Sequence, residues 1–183
     1  CNNMGTGMEY LTGGLLSTAN ECWMLLRQKE TMQSYLYKIR ITSANQGTSL
    51  AKIAITPEIA PHFAEATCFA SLNEMKDILF YSTEKSVYSI ALSSLREGVT
   101  SNLEAEIVDG NKDGFSITGM KVDAILVPAP TPENPLATRT AQQVRLCIQD
   151  QNVTGNSKGG IAYYELGTVG GIHADPVYRK AGF

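Results

Sequence analysis

The fold class is predicted from Tyr35-Leu36-Tyr37-Lys38-Ile39-Arg40-Ile41-Thr42, in which apolar and mostly polar residues alternate. A period of two is typical of a β-strand, because successive side chains point to opposite faces of a sheet. The next residues, Ser43-Ala44-Asn45-Gln46-Gly47, have the composition of a turn. A second apolar run from Leu50 to Ile55 then predicts the returning strand of a hairpin.

Upstream of this hairpin, the sequence predicts an amphipathic helix over residues 7–32. Thr6 and Glu9 have the spacing of a capping box at its start. Gly13 and Gly14 would each weaken the helix by about 1 kcal/mol relative to Ala, and indicate close packing or a kink. The apolar residues that form the stripe, at intervals of three and four and widened on one side, are Met8, Leu11, Leu15, Leu16, Cys22, Trp23, Leu25 and Leu26.

Downstream of the hairpin, the pattern predicts one short helix, near residues 63–72, and otherwise mainly strands. The predicted strands are 77–82 paired with 86–92, 103–108 paired with 115–127, then 143–149 (where a helix also fits) and 161–166. A helix followed by about seven mostly hairpin-connected strands predicts an α+β fold with a mainly antiparallel sheet or sandwich.

Composition divides the chain into three predicted parts. Residues 1–6 are polar or small and predict a tether, and residues 7–166 predict a single globular domain. Within that domain, the prolines of residues 128–136 predict an extended strap that cannot donate to a sheet. Residues 167–183 are rich in Gly and lack periodicity, which predicts a C-terminal arm.

The overall composition narrows the class of protein. The chain has 183 residues and 43% hydrophobic content, which is enough for an ordinary core and argues against disorder. Its 15 basic and 18 acidic residues give a net charge of −3, which argues against gripping nucleic-acid backbones. No apolar run approaches the ~18 residues that a spanning helix needs.

The N-terminal sequence Cys1-Asn2-Asn3 resembles that of a mature bacterial lipoprotein. In that class, the first cysteine carries the lipid, and Asn rather than Asp at the second position is compatible with sorting to the outer membrane. The resemblance implies a lipid anchor at Cys1, membrane contact through lipid only, and an outer-membrane or periplasmic location. The alternative is an arbitrary chain boundary, in which case the location is unknown.

The other cysteines, Cys22, Cys68 and Cys147, are far apart in sequence and lack the spacing of a zinc site. Their immediate neighbours are apolar, which favours buried free thiols, although one disulfide with one free thiol is an alternative.

One weak metal candidate is present at Asp109, Asn111 and Asp113, which match the first half of a calcium loop. The complete loop needs a bidentate Glu at its twelfth position, where this chain has Met120. Turn chemistry explains the same residues without a metal. No other cofactor is expected, and no convincing catalytic set is found.

These patterns predict a non-catalytic structural or interaction subunit of a bacterial cell-envelope assembly, such as a secretion, pilus or motility complex. The expected partners are other protein subunits or further copies of the chain, and not nucleic acid. The predicted contact regions are the broad apolar helix that contains Trp23, the proline strap and the C-terminal arm. The alternatives are a soluble ligand- or carbohydrate-binding β domain, with aromatic strand faces as its platform, and a virion structural subunit.

Overall fold

The computed structural model describes residues 7–18, 20–44, 46–71, 77–109, 114–128, 140–150, 160–168 and 171–181. Within these residues, twelve strands form three four-stranded sheets, and within each sheet consecutive strands of the chain pair antiparallel. Each sheet is therefore a simple meander.

The three sheets follow one another along the chain. Sheet A contains β1 (Met8–Thr18), β2 (Glu21–Gln28), β3 (Ser34–Ser43) and β4 (Gln46–Ile55). Sheet B contains β5 (Cys68–Ser71), β6 (Ile78–Ser82), β7 (Ser86–Ala91) and β8 (Glu104–Asp109). Sheet C contains β9 (Ile117–Pro128), β10 (Thr140–Asp150), β11 (Gly160–Thr168) and β12 (Gly171–Ala181).

Helical structure in the described residues is limited to short 3₁₀ turns at Phe63–Glu65 and Leu92–Ser94. No helix within the described ranges is long and apolar enough to span a bilayer. The protein is mainly β, and the predicted α+β class is wrong.

The predicted helix over residues 7–32 is replaced by the β1–β2 hairpin. In β2, Trp23 and Leu25 join the core between sheets A and B, while Cys22 and Leu26 are buried on the opposite face. A strand with apolar residues on both faces gives an almost continuous run of apolar residues. The same run also matches the broad apolar face of an amphipathic helix, so the two structures cannot be told apart by periodicity. The tight turn at Asn20, two residues after the end of β1, allows the chain to reverse.

Sheet B is the middle layer, with sheet A on one face and sheet C on the other. Leu79 and Tyr81 of β6 belong to the core shared with sheet A, whereas Phe80 between them belongs to the core shared with sheet C. Burial at consecutive positions is expected of a strand that is covered on both faces. The buried side chains that sheet C contributes to the second core are Ile117, Val122, Leu146, Ile148, Ala162, Tyr164 and Leu166.

The sheets come closest at the first strand of each meander. Cα atoms of β5 approach those of β1 and of β9 within 8 Å, which is less than the ~10 Å that usually separates packed sheets. Sheets B and C also approach at β8 and β12. The three first strands therefore gather along one side of the stack.

The two predicted hairpins nearest the middle of the chain have different outcomes. The pairing of 77–82 with 86–92 is confirmed by β6 and β7. The pairing of 103–108 with 115–127 is wrong, because β8 pairs with β7 and β9 pairs with β10, in different sheets. Val108 and Phe115 bury their side chains in the same core between the sheets, so this segment joins two layers.

Two further predicted segments differ from the structure. The helix predicted near residues 63–72 is a single 3₁₀ turn followed by β5, whose pairing with β6 fixes an extended backbone. Residues 171–181 of the predicted arm form β12, which pairs with β11. The tether at residues 1–6 and residues 129–136 of the proline strap lie outside the described residues; Pro128 ends β9.

Candidate functional site

The face of sheet A that points away from sheet B is the candidate site. Trp23, Leu25 and Leu36 lie in the core with sheet B, so the residues that alternate with them in β2 and β3 point outward. Directly paired residues of antiparallel strands share a face, which extends the assignment to β1 and β4. We define the outer face of sheet A by Tyr10, Cys22, Met24, Leu26, Tyr35, Tyr37, Ile39 and Lys52.

The outer face of sheet A is apolar and aromatic. Cys22, Leu26 and Ile39 are buried, although they belong to neither of the two cores between sheets. Tyr10 is 59% exposed, and a Cβ added at Gly47 would lie 2.7 Å from Cγ2 of Ile39. The glycine thus leaves room for the isoleucine side chain to lie against the sheet.

Lys52 contributes a cation to this face. Its Nζ lies 4.2 Å from the ring centroid of Tyr35 and 5.7 Å from that of Tyr37, while the two ring centroids are 6.5 Å apart. An ammonium group over an aromatic ring is attracted by the negative ring face. Lysine and tyrosines therefore form one organised patch.

A second cluster lies where the connector from β4 to β5 meets the start of β8. Nδ1 of His62 is 2.6 Å from Oε1 of Glu104, and the backbone N–H of His62 donates to Oε2 at 3.1 Å. The hydroxyl of Tyr81 also donates to Oε2. The His62 ring stacks on Tyr88, with centroids 4.7 Å apart and planes 8° apart.

The carboxylate of Glu104 therefore ties the connector to sheet B. Its side chain is only 4% exposed, and its two oxygens interact with groups from the connector and from β6. Leu103 N–H adds a backbone bond to the Ile59 carbonyl at 2.8 Å. Burial, together with the Glu104 hydrogen bond, raises the pKa of Tyr81, which stays a neutral donor.

The His62–Glu104 pair predicts a pH dependence of stability. The hydrogen bond to Glu104 raises the pKa of His62, with smaller contributions from Glu65 and Glu106, while desolvation opposes them. The stabilisation is fully present below the unfolded-histidine pKa of ~6.5 and is lost as pH rises through the higher folded value. Denaturant unfolding at a series of pH values should show this loss in the wild type and not in His62→Gln. Equal slopes in the two proteins would contradict the assignment.

An open cleft of about 590 Å³ lies between sheet A and the chain that follows β7. Trp23, Lys38 and Ala51 line one side, and Leu92 and Arg96 line the other. Trp23 is buried, and Nζ of Lys38 lies 5.6 Å from its ring centroid, so little ring surface is left for a ligand to stack on.

An ion-pair cluster in sheet A involves the same lysine. Lys38 and Arg40 both bind Glu21, with N–O distances of 3.1 and 2.9 Å, and hydrogen bonds from Arg40 and Lys38 lower the pKa of Glu21.

The residues singled out from the sequence are not brought together. Asp109 ends β8, whereas Cys1, Asn111 and Asp113 lie outside the described residues. Among the described side chains, no group of three or more His, Cys, Asp or Glu residues could hold a metal ion. The calcium and lipid-anchor hypotheses stay predictions. Trp23 lies on β2 rather than on a helix.

The three internal cysteines are distributed one to each sheet, in β2, β5 and β10. No disulfide joins them in the described structure. Burial raises the pKa of the Cys22 thiol, which favours its neutral form.

Sequence reasoning did not identify the outer face of sheet A or the His62–Glu104 pair. The alternation of residues 35–42 predicted the strand but not which of its two sides faces outward, and in the structure Leu36 faces the core. His62 and Glu104 are 42 residues apart, and no local pattern links them.

Protein-family models, curated proteins and solved structures were compared with the chain, and none of them matches it.

Proposed function

We propose that this protein is a non-catalytic interaction subunit of a larger assembly and that it binds its protein partner through the outer face of sheet A. The observation that carries the proposal is the apolar and aromatic outer face of sheet A, on which Tyr10 is exposed and Met24, Tyr35 and Tyr37 are half-buried. A sheet face that meets water is usually polar, and apolar side chains that stay accessible on such a face mark interaction sites. The predicted cell-envelope location and lipid anchor remain predictions.

The composition of the face fits a protein partner. Tyrosine and methionine are enriched at interfaces because they bury a large area and, for tyrosine, keep a polar group at the edge. The buried Cys22, Leu26 and Ile39 form an apolar base, and Tyr10 projects at the margin.

A carbohydrate-binding platform is less well supported by the same patch. A sugar stacks on an open aromatic ring, but Lys52 Nζ already lies over Tyr35 at 4.2 Å. Binding a sugar there would require the ammonium group to leave the ring and lose its cation–π attraction.

The Glu104 cluster supports a structural role rather than a catalytic one. A general base needs a lone pair that can reach substrate, whereas the Glu104 oxygens accept hydrogen bonds from Tyr81 and from His62. The cluster holds the connector between two sheets, which is a stabilising task.

Tyr10→Lys tests the proposed interaction with little risk to folding, because Tyr10 is exposed. The charge should lower the fraction of protein that elutes above the monomer mass in native extracts by tenfold or more, which corresponds to about 1.4 kcal/mol. Met32→Lys is the matched control, because Met32 is 58% exposed in the turn between β2 and β3. Equal loss from both variants, or from neither, would contradict the proposal.

A further inference from the structure

The molecule repeats one structural unit. Sheets A, B and C are each a four-stranded antiparallel meander, and consecutive sheets pack face to face. Their first strands gather on one side, where β5 approaches both β1 and β9 within 8 Å. Four-stranded meanders arranged around a common axis by their first strands are the blades of a β-propeller.

The stack of three sheets has two end faces. At one end is the outer face of sheet A. At the other is the outer face of sheet C, which we define by Lys121, Asp123, Cys147, Gln149, Ile161, Tyr163 and Glu165. These residues alternate with Val122, Leu146, Ala162 and Tyr164, which lie in the core with sheet B.

Resting on the proposed function, we infer that the partner of the outer face of sheet A is the outer face of sheet C in a second copy of the chain. The contact continues the packing already present within the chain, where the face of one meander covers the face of the next. Two copies of three sheets give a ring of six, within the ~4–8 blades of known rings.

Both end faces carry aromatic and aliphatic side chains. Sheet A presents aliphatic and aromatic side chains with the ammonium group of Lys52 at the Tyr35–Tyr37 patch. Sheet C presents Tyr163 and Ile161, the latter 40% exposed, with the carboxylates of Asp123 and Glu165 in the adjoining row. The register places Arg145 between these two acids.

Rotational symmetry closes such a ring. The contact between sheet A and sheet C is heterologous, since two different surfaces meet. A two-fold axis along the centre of the ring brings each copy's sheet A onto the other copy's sheet C, so both end faces of both copies are covered. The assembly stops at two chains instead of growing into a filament.

Sedimentation equilibrium of the purified chain tests this inference. The wild type should reach twice the 19.8 kDa of one chain, and Met32→Lys should do the same. Tyr10→Lys and Ile161→Lys alter one end face each, and each should sediment mainly as a monomer. A mixture of these two variants should recover dimer, because one sheet A–sheet C contact is intact between them.

Each alternative result is distinct. A wild type that stays monomeric overturns the inference, and so does a series of ever larger species. An Ile161→Lys protein that dimerises like the wild type would show that two copies of sheet A face each other, which also overturns it. The purified chain could be monomeric while Tyr10→Lys still lowers the fraction of protein found in the assembly in extracts. In that case the proposed function stands, and only a second copy of the chain is excluded as the partner.

Discussion

Phe80→Ala should lower the free energy of unfolding by about 3–5 kcal/mol, and its neighbour Leu79→Ala by about 2–5 kcal/mol. Both side chains are fully buried, one in the core with sheet C and the other in the core with sheet A. Each truncation leaves a cavity that a packed interior fills only in part.

Large losses of stability at both Leu79 and Phe80 would show that sheet B is covered on both faces. They would exclude a sheet that has one face in contact with solvent. In a two-layer sandwich, one of any two neighbouring strand residues points to solvent and tolerates alanine. Denaturant unfolding of both variants gives the comparison, with Thr48→Ala as the exposed control on β4. A change below about 0.5 kcal/mol at either Leu79 or Phe80 would contradict the central position of sheet B.

Trp23→Ala should be the most damaging single change in sheet A, with a loss of about 3–5 kcal/mol. Trp23 is the chain's only tryptophan, and it packs in the core between sheets A and B beneath Lys38. Circular dichroism with denaturant measures the effect without a tryptophan signal.

Lys38→Ala provides the control for Trp23→Ala, because it removes the cation over the ring and leaves the ring in place. This substitution should lower the free energy of unfolding by no more than about 1 kcal/mol, which is the size of an accessible cation–π contact or a surface ion pair. Similar effects of the two substitutions would show that the ring itself contributes little to the core.

Strands with one consistent period were predictable from the sequence. Residues 35–42 alternate cleanly, and β3 follows them because a period of two fits only an extended chain. The hairpin of β6 and β7 was also predictable, since apolar runs flank the short turn at Thr83-Glu84-Lys85.

The β1–β2 hairpin was not predictable from periodicity. Cys22, Trp23, Leu25 and Leu26 are all buried, so β2 shows no alternation, and a helix accommodates the same pattern. Gly13 and Gly14 were the contrary signal, because glycine is unfavourable in a helix interior.

The assignment of strands to sheets depended on contacts that sequence does not encode locally. The chain after Asp109 leads into the next sheet instead of back along β8, because Val108 and Phe115 share the core between layers. The Glu104–His62 contact likewise forms only once the connector has packed against sheet B. The outer face of sheet A could not be predicted for the same reason. The packing of the three sheets decides which side of each strand is covered and which side faces outward.

Hydroxyl-radical footprinting can locate the binding surface on the chain, because it measures the accessibility of individual side chains. Met24, Tyr35 and Tyr37 should react in the dissociated chain at high dilution and become protected in the intact assembly. Met32, in the turn after β2, should react equally in both states. Unchanged reactivity of Met24, Tyr35 and Tyr37 on assembly would contradict the claim that the outer face of sheet A is the binding surface.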